Sequence, residues 1–420
     1  MQEVFLVGGA RTPIGRFGGT IREVPVSKLG ALVLNAAIAR AGIEPDQVDD
    51  VIGGQSYMNG ECANASRMAL LEAGWPDSVP AVTIDRRCCS GLDAIFFGAM
   101  KIQSGNADIV VCCGMESMSQ VELYLPGAIR WGLGGTKDEK WGFMPRGHGS
   151  LGMWGVPFYD RIQRARVMSQ PIDRYGELNS MMSWAENAAK VEGINREDVD
   201  RWALRSHQKA LEAQAADKFD AEIVSVPVPG KRGAIEKFDR DETPRADTTF
   251  EKLSALKTVY EPGVCTAGNS SSENDGAAAV VLCSAQKAKE LNLKVKIRYL
   301  SCALGACDPT LTYPAVDIAV KRALKKAALD IKQIDLFEIQ EAFAAQLLAD
   351  AKLMGIARDD YDDKINVNGS GISLGHPIGA TGVMRLVTLM HEMERRDCAF
   401  GLETICGGGG QGIAAIFART

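Results

Sequence analysis

Apolar residues recur at helical spacing through Leu29–Arg40 and again through Ile318–Lys326. Each run passes through a polar turn into a short apolar segment, Val51-Ile52 in the first case and Leu336–Ile339 in the second. The turns match as well. Ala41-Gly-Ile-Glu-Pro-Asp-Gln-Val-Asp49 lies beside Ala327-Ala-Leu-Asp-Ile-Lys-Gln-Ile-Asp335 at a constant offset of 286. Further on, a helical pattern over Gly91–Ser104 precedes a strand at Asp108–Cys113, and Gly382–Met393 precedes Cys398–Leu402. The order strand, helix, strand, helix, strand therefore occurs twice. This predicts two similar α/β halves, each with a mixed or largely parallel sheet covered by helices. Between them, residues 120–250 break the pattern. They hold five of the six tryptophans (131, 141, 154, 184 and 202), a Gly-, Pro- and charge-rich stretch at Leu133–Pro157, and a helical stretch at Ser183–Ala215. This reads as a long insertion over the sheet edge, of the kind that forms lids and binding surfaces.

Composition removes several classes of function. A chain of 420 residues has room for two to three domains. With 47 basic and 53 acidic residues the net charge is −6, and no stretch is basic enough for a nucleic-acid surface. The longest apolar runs, Ile109–Cys113 and Ala277–Cys283, fall far short of the ~20 residues that span a bilayer. The opening MQEVFLVGGARTP has an acid at Glu3 and a short apolar stretch, unlike a signal peptide. A cytoplasmic protein with neither nucleic-acid nor membrane partners is expected. The eleven cysteines contain no CxxC, and the histidines at 148, 207, 376 and 391 lie far apart. No zinc spacing results, so no metal is expected and the cysteines read mostly as small hydrophobes in a reducing compartment.

Three glycine-flanked turns carry candidate chemistry. In Asp85-Arg-Arg-Cys88-Cys89-Ser-Gly91, a strand over Ala81–Ile84 gives way to a helix beginning near Gly91. Cys88 then sits at a helix N-terminus, where the dipole favours a thiolate and Arg86 and Arg87 add to the effect. Two packing cysteines are the structural alternative. The second turn, Asn366–Gly382, fixes His376 between Gly375 and Pro377, at the place in the second half that the 286 offset assigns to Cys88. The third, Thr404-Ile-Cys406-Gly-Gly-Gly-Gly-Gln-Gly412, offers backbone N–H groups of the kind that form oxyanion holes. It matches neither a P-loop nor a dinucleotide fingerprint. Together the turns suggest a nucleophile, an activating base and a second proton carrier.

These residues resemble the thiolase family, which makes and breaks 3-oxoacyl-CoA thioesters. The resemblance runs nearly end to end. It includes Gly9-Ala-Arg-Thr-Pro-Ile-Gly-Arg-Phe-Gly-Gly19, Gly114-Met-Glu-Ser-Met118, Thr266-Ala-Gly-Asn269 with Asn274-Asp-Gly-Ala-Ala278, and the His376 and Cys406 loops. It implies a thiolase fold: two duplicated five-layered α-β-α-β-α halves with an inserted loop domain. The boundaries expected are 1–120 with 250–285 for the first half, 121–249 for the inserted loop domain, and 286–420 for the second half. By the same resemblance Cys88 accepts the acyl group, His376 activates it, and Cys406 exchanges a proton with the Cα of acetyl-CoA. The N–H groups of Cys88 and Gly408 would serve as oxyanion donors. Ser271, Arg245 and Met181 would contact coenzyme A, with Arg161, Arg164 and Arg166 as candidates for its phosphates. CoA is then a substrate, no resident cofactor is implied, and the assembly is a homodimer or homotetramer.

Three departures from the family pattern bear on function. Gln340-Glu-Ala-Phe343 stands where the family has Asn-Glu-Ala-Phe, whose Asn commonly holds a water in the enolate-binding oxyanion hole. Cys89 follows the nucleophile where Gly or Ser is usual, and spacing to Ser90-Gly91 favours Cys88 as the reactive thiol. Met181-Met-Ser-Trp184 carries Trp184 in place of Thr, after an apparently long insertion from Leu125 to Asn179. These features lead to an expectation of thiolysis on a longer or bulkier acyl group, with short-chain acetyl transfer or a sterol-carrier-type thiolase as alternatives.

Overall fold

The computed structural model describes residues 2–125, 158–176 and 181–420. The chain begins with a strand, β1 (Val4–Arg11), and a helix, α1 (Val26–Ala41), whose buried positions Leu29, Val33, Leu34, Ala37 and Ile38 keep helical spacing. Strands β2 (Asp50–Gly54), β3 (Ala81–Ile84) and β4 (Ile109–Ser117) follow, with helix α2 (Ala65–Glu72) between β2 and β3 and helix α3 (Ser90–Gln103) between β3 and β4. Strand β5 (Asn274–Ser284) completes the first half. The second half holds β6 (Ile297–Ala306), β7 (Leu336–Ile339), β8 (Phe400–Gly407) and β9 (Gln411–Arg419). Its helices are α6 (Tyr313–Ala327), α7 (Ala344–Met354) and α8 (Thr381–Arg396).

The halves repeat each other in pairing. In the first, β5 lies antiparallel between β1 and β4, and β2 and β3 extend the sheet in parallel. In the second, β9 lies antiparallel between β6 and β8, with β7 parallel to β8. The counterpart of β3 shrinks to one parallel bridge, Phe337 to Ile365. Three antiparallel residue pairs between β1 and β6 join the two into a single sheet path.

The matched turns repeat down to their hydrogen bonds. Glu44 with Gln47, and Asp330 with Gln333, form the same capping box 286 residues apart. Asp49 Oδ2 accepts the N–H groups of Asp108 and Ile109, and Asp335 Oδ2 those of Ala399 and Phe400. Helices α1 and α6 both end left-handed, at Gly42 (φ 73°) and Ala328 (φ 54°). The repeat keeps that conformation even where alanine carries its steric cost.

Helices α3 and α8 pack on each other and reach strands of both halves. Their contact needs glycine: a Cβ on Gly382 would lie 2.3 Å from Leu92 N, and one on Gly91 2.9 Å from Gly379 O. The five layers are therefore shared, with outer helices, a sheet and one central helix from each half. Past the repeated turn the offset grows. Helix α3 starts at Ser90 and α8 at Thr381, so Cys88 corresponds in place to Gly379 and His376 lies three residues before it.

The described part of the segment between the halves is not confined to a sheet edge. Helices α4 (Met182–Glu192) and α5 (Arg196–Ala215) pack on α7. They carry Trp184 and Trp202 into the second half's core. The hairpin Val226–Pro229/Ile235–Phe238 instead packs on the first half. Trp131, Trp141, Trp154 and Leu133–Pro157 lie outside the described residues. Among the described residues no helix is long and apolar enough to cross a membrane.

One buried acid pair makes the fold pH-sensitive. Glu338 and Glu403 stand opposite each other on β7 and β8, both buried. Burial pushes the Glu338 carboxyl up to about 8, with Arg385 working against the rise and Glu341 adding to it. Burial, then Glu338, raises Glu403 as well. A carboxyl raised in the folded state keeps a proton that the unfolded chain releases. Its contribution to stability is full at acid pH and drains as pH climbs through the folded value. The melting temperature is expected to fall from about pH 4.5, where the unfolded carboxyl ionises, to about pH 8, and Glu338→Gln to flatten that fall. An unchanged profile in the variant would remove this pair as the cause.

Candidate active site

Strand β3 ends at Ile84 and α3 starts at Ser90, leaving a five-residue elbow. Arg87 takes φ 52°, the left-handed region that a non-glycine residue enters at a cost. Local bonds hold it there. Asp85 Oδ1 accepts the Arg87 N–H (2.7 Å), and Ser90 Oγ accepts the Arg86 N–H (2.7 Å) while donating to Arg87 O (2.6 Å). This aims the Cys88 thiol into a cleft whose free space, open solvent included, is about 920 Å³. Cys89 points the other way: it is fully buried in the core, with its thiol 3.5 Å from Ile405 O.

The cleft wall brings together Cys88, His376, Cys406, Gly408, Ser271 and Met181. The second half supplies His376 from the loop before α8. Gly375 precedes it at φ 102°, with Asn274 so close that a Cβ would lie 2.5 Å from its amide carbon. Asn274 Oδ1 in turn accepts the His376 N–H at 2.8 Å. The imidazole tautomer follows from one hydroxyl. Thr381 Oγ1 lies 2.7 Å from His376 Nδ1 and 3.1 Å from Pro377 O; with its single proton on Pro377 O it accepts from Nδ1, which assigns the tautomer. Nδ1 then carries the ring proton, and Nε2 is a buried lone pair without a partner among the described residues. Burial, and then Arg385, lowers the ring pKa to about 3. His376 is thus a neutral base at neutral pH.

The electrostatics of Cys88 reverse the sequence expectation of a resting thiolate. Burial pushes its thiol up to about 11. Arg87, the Gly408 N–H and the Cys88 N–H pull in the other direction without overcoming burial. Arg86 is engaged elsewhere, 2.7 Å from Asp93. Cys406, near the end of β8, is also held as a thiol, raised well above its ordinary range by burial, then by Cys88 and Asp350. Burial thus favours two thiols and a neutral imidazole in the resting cleft, with thiolate formed as a proton is handed on within it.

Two expected residues do not reach the wall. Gln340 is buried with neither amide atom hydrogen-bonded, its Nε2 pressed toward Gly371. Arg245 is exposed, and its backbone N–H donates to His207 Nδ1 at 3.2 Å. Of the three candidate phosphate contacts only Arg166 lines the cleft. Arg161 pairs with Glu122 (3.1 Å), and Arg164 lies over the Tyr159 ring.

Several contributors escaped the sequence reading. Glu116 accepts the N–H groups of Ser56, Tyr57 and Gly379, tying a first-half loop to the His376 loop. Arg87 and Tyr57 line the cleft. Glu116 and Thr381 fall inside quoted motifs, but their partners, near and far along the chain, become visible only in three dimensions.

The chain matches two families in succession: "Thiolase, N-terminal domain" over residues 4–286 and "Thiolase, C-terminal domain" over residues 293–419. An acetyl-CoA acetyltransferase of Cupriavidus necator is 42% identical, with 100% of each chain covered. The crystal structure of the Bacillus anthracis acetyl-CoA acetyltransferase superimposes with a TM-score of 0.88 at 38% identity, covering 100% of this chain and 99% of that one. Human mitochondrial 3-ketoacyl-CoA thiolase gives 0.89 at 33% identity, with the same coverage. Similarity of this extent covers both halves and the segment between them, and on that ground the chain belongs to the thiolase family.

Proposed function

We propose that this acyltransferase catalyses reversible exchange between a short 3-oxoacyl-CoA, with acetoacetyl-CoA as the simplest, and acetyl-CoA. The observation that carries the reading is the convergence of Cys88, His376 with its free Nε2, and Cys406 on one cleft. In thiolysis, His376 Nε2 takes the Cys88 proton and the sulfur adds to the 3-oxo carbon. The C2–C3 bond breaks, its electron pair passes to the departing acetyl-CoA enolate, and Cys406 protonates that carbon. CoA then gives its thiol proton to the Cys406 thiolate and attacks the acyl group. The Cys88 sulfur leaves and recovers its proton from His376. The Gly408 N–H, already directed at the Cys88 sulfur, is placed to stabilise charge on the acyl oxygen. Ser271 and Met181, on the same wall, are the CoA contacts that fit this reading.

Two observations favour a short acyl group over a bulky one. The relative named acetyl-CoA acetyltransferase is 42% identical, against 33% for the 3-ketoacyl-CoA thiolase at nearly the same coverage. Trp184, large where the family has Thr, is itself packed edge-on against Phe343 with centroids 5.2 Å apart. That ring fills wall volume that a long chain would need. Segment 121–249 would act as the cover and CoA-facing insertion. A homodimer or homotetramer is consistent with the apolar Met68, Leu71 and Val82, exposed on α2 and edge strand β3.

Thiolysis of a panel from acetoacetyl-CoA to long-chain and cyclic 3-oxoacyl-CoAs, followed by loss of enolate absorbance, tests this. Preference for the short members supports acetyl transfer. Turnover of bulky members with little on acetoacetyl-CoA would replace it with degradative thiolysis of larger acyl groups.

A further inference from the structure

The chemistry above leaves one feature of the cleft without a role. Two guanidinium groups line it, Arg87 and Arg166. Arg166 is paired with Glu273, also on the wall. The Arg87 guanidinium has neither hydrogen bond nor ion pair among the described residues, although Arg87 is half-buried. Both cations act on the same third group. The Tyr57 phenol, raised to about 12 by burial, is pulled back by Arg166 and then by Arg87. Tyr57, Arg87 and Arg166 thus share one region of the cleft wall. Apolar Met118, Ala165 and Ile378 complete it, packed with Tyr57 in a small cluster.

We propose that this region binds the far end of the acyl group and that the favoured short acyl group ends in a carboxylate. The inference rests on the thiolase reading of the cleft and names its substrate class. An uncompensated guanidinium in a partly dry cleft calls for an anion, and a carboxylate matches its fork geometry. CoA carries anions too, as phosphates. They sit at the far end of the pantetheine arm from the reacting sulfur, however, whereas Arg87 is the residue next to Cys88. Arg87 and Cys88 line the same cleft, which favours the acyl side, and the KM for CoA in the variants separates the two. Glu273 does not oppose it, because Arg166 neutralises that charge. The methylenes of a short chain would lie on Met118 and Ile378, with the Tyr57 hydroxyl donating to the same carboxylate.

The test compares kcat/KM for thiolysis of a six-carbon 3-oxoacyl-CoA ending in a carboxylate with that of its methyl-ended counterpart of equal length. Acetoacetyl-CoA serves as reference, and the proteins are wild type, Arg87→Leu and Arg87→Lys. Wild type is expected to prefer the carboxylate by about tenfold or more, the worth of one charge-assisted hydrogen bond. Arg87→Leu should bring the ratio toward one, and Arg87→Lys should keep part of it. A wild-type ratio of one or below overturns the proposal. So does an Arg87→Leu variant that slows both substrates equally, which would leave Arg87 only as an influence on the Cys88 thiol. A raised KM for CoA with an unchanged ratio would assign Arg87 to the phosphates and overturn it as well. If acetoacetyl-CoA is cleaved and neither six-carbon substrate is, this inference falls and acetyl transfer stands. If no thioester is cleaved, both fall.

Discussion

Replacing Cys88 with alanine is expected to lower kcat/KM by at least about 10³-fold, as loss of a covalent nucleophile does elsewhere. Cys89→Ala should retain most of the activity, because that thiol is buried on the opposite side of the elbow against Ile405. His376→Asn should cost about 10²- to 10⁴-fold, the range for removing a general base. Thiolysis assays with mass-spectrometric mapping of iodoacetamide adducts check all three. Adducts on Cys89 in preference to Cys88, or an equal loss in Cys89→Ala, would reverse the assignment. The pH dependence is distinctive. Because burial pushes the Cys88 thiol up to about 11, labelling of the free protein should keep accelerating through alkaline pH. A plateau near ~8.5, the value of an ordinary thiol, would show that the free cleft is wetter than its geometry implies.

The second large effect concerns stability. Arg11 is 1% exposed and is gripped by two carboxylates, Asp241 at 2.8 Å and Glu222 at 2.9 Å. Burial works against the cation, but Asp241 and Glu222 outweigh it and hold it protonated beyond its ordinary range. The ring of Phe219 covers the guanidinium at 4.9 Å. Arg11→Met leaves both carboxylates buried and unpaired, so it is expected to cost about 3–5 kcal/mol of unfolding free energy. Chemical denaturation measures it, and a loss below about 1 kcal/mol would mean that water reaches the acids. The network also leads to the site. Asp241 accepts the Ile14 N–H, Glu242 the Arg16 N–H, and Thr243 Oγ1 contacts Asn274, which holds the His376 loop. Activity in the variant should therefore fade before global unfolding.

The two halves were legible because their evidence is local. Nine residues around Asp49 recur around Asp335, and each aspartate makes the same pair of bonds in its half. The three reactive turns were legible for a related reason. Glycine is required where α3 and α8 touch and where Asn274 crowds Gly375, and such requirements leave a mark in the sequence. The direction of a side chain at a turn leaves no such mark. Adjacent thiols at 88 and 89 look alike in a string of letters, yet one faces a cleft and the other a core. Gln340 and Arg245 had plausible neighbours in sequence but end away from the wall.

The sequence by itself determined the duplicated α/β halves, the family, and the cysteine, histidine and cysteine that the fold brings to one cleft. All of these reside in short-range patterns of apolar spacing, glycine and reactive residue type. Only the tertiary structure decided the charge states and the surroundings. Helix position and neighbouring arginines argued for a thiolate at Cys88, but burial by residues far apart in the chain outweighs both. The tautomer of His376 depends on a hydroxyl that itself bonds to Pro377, and the Arg87 guanidinium has no hydrogen bond or ion pair among the described residues. Desolvation and pairing sum over everything packed nearby, and a linear sequence does not state what that is.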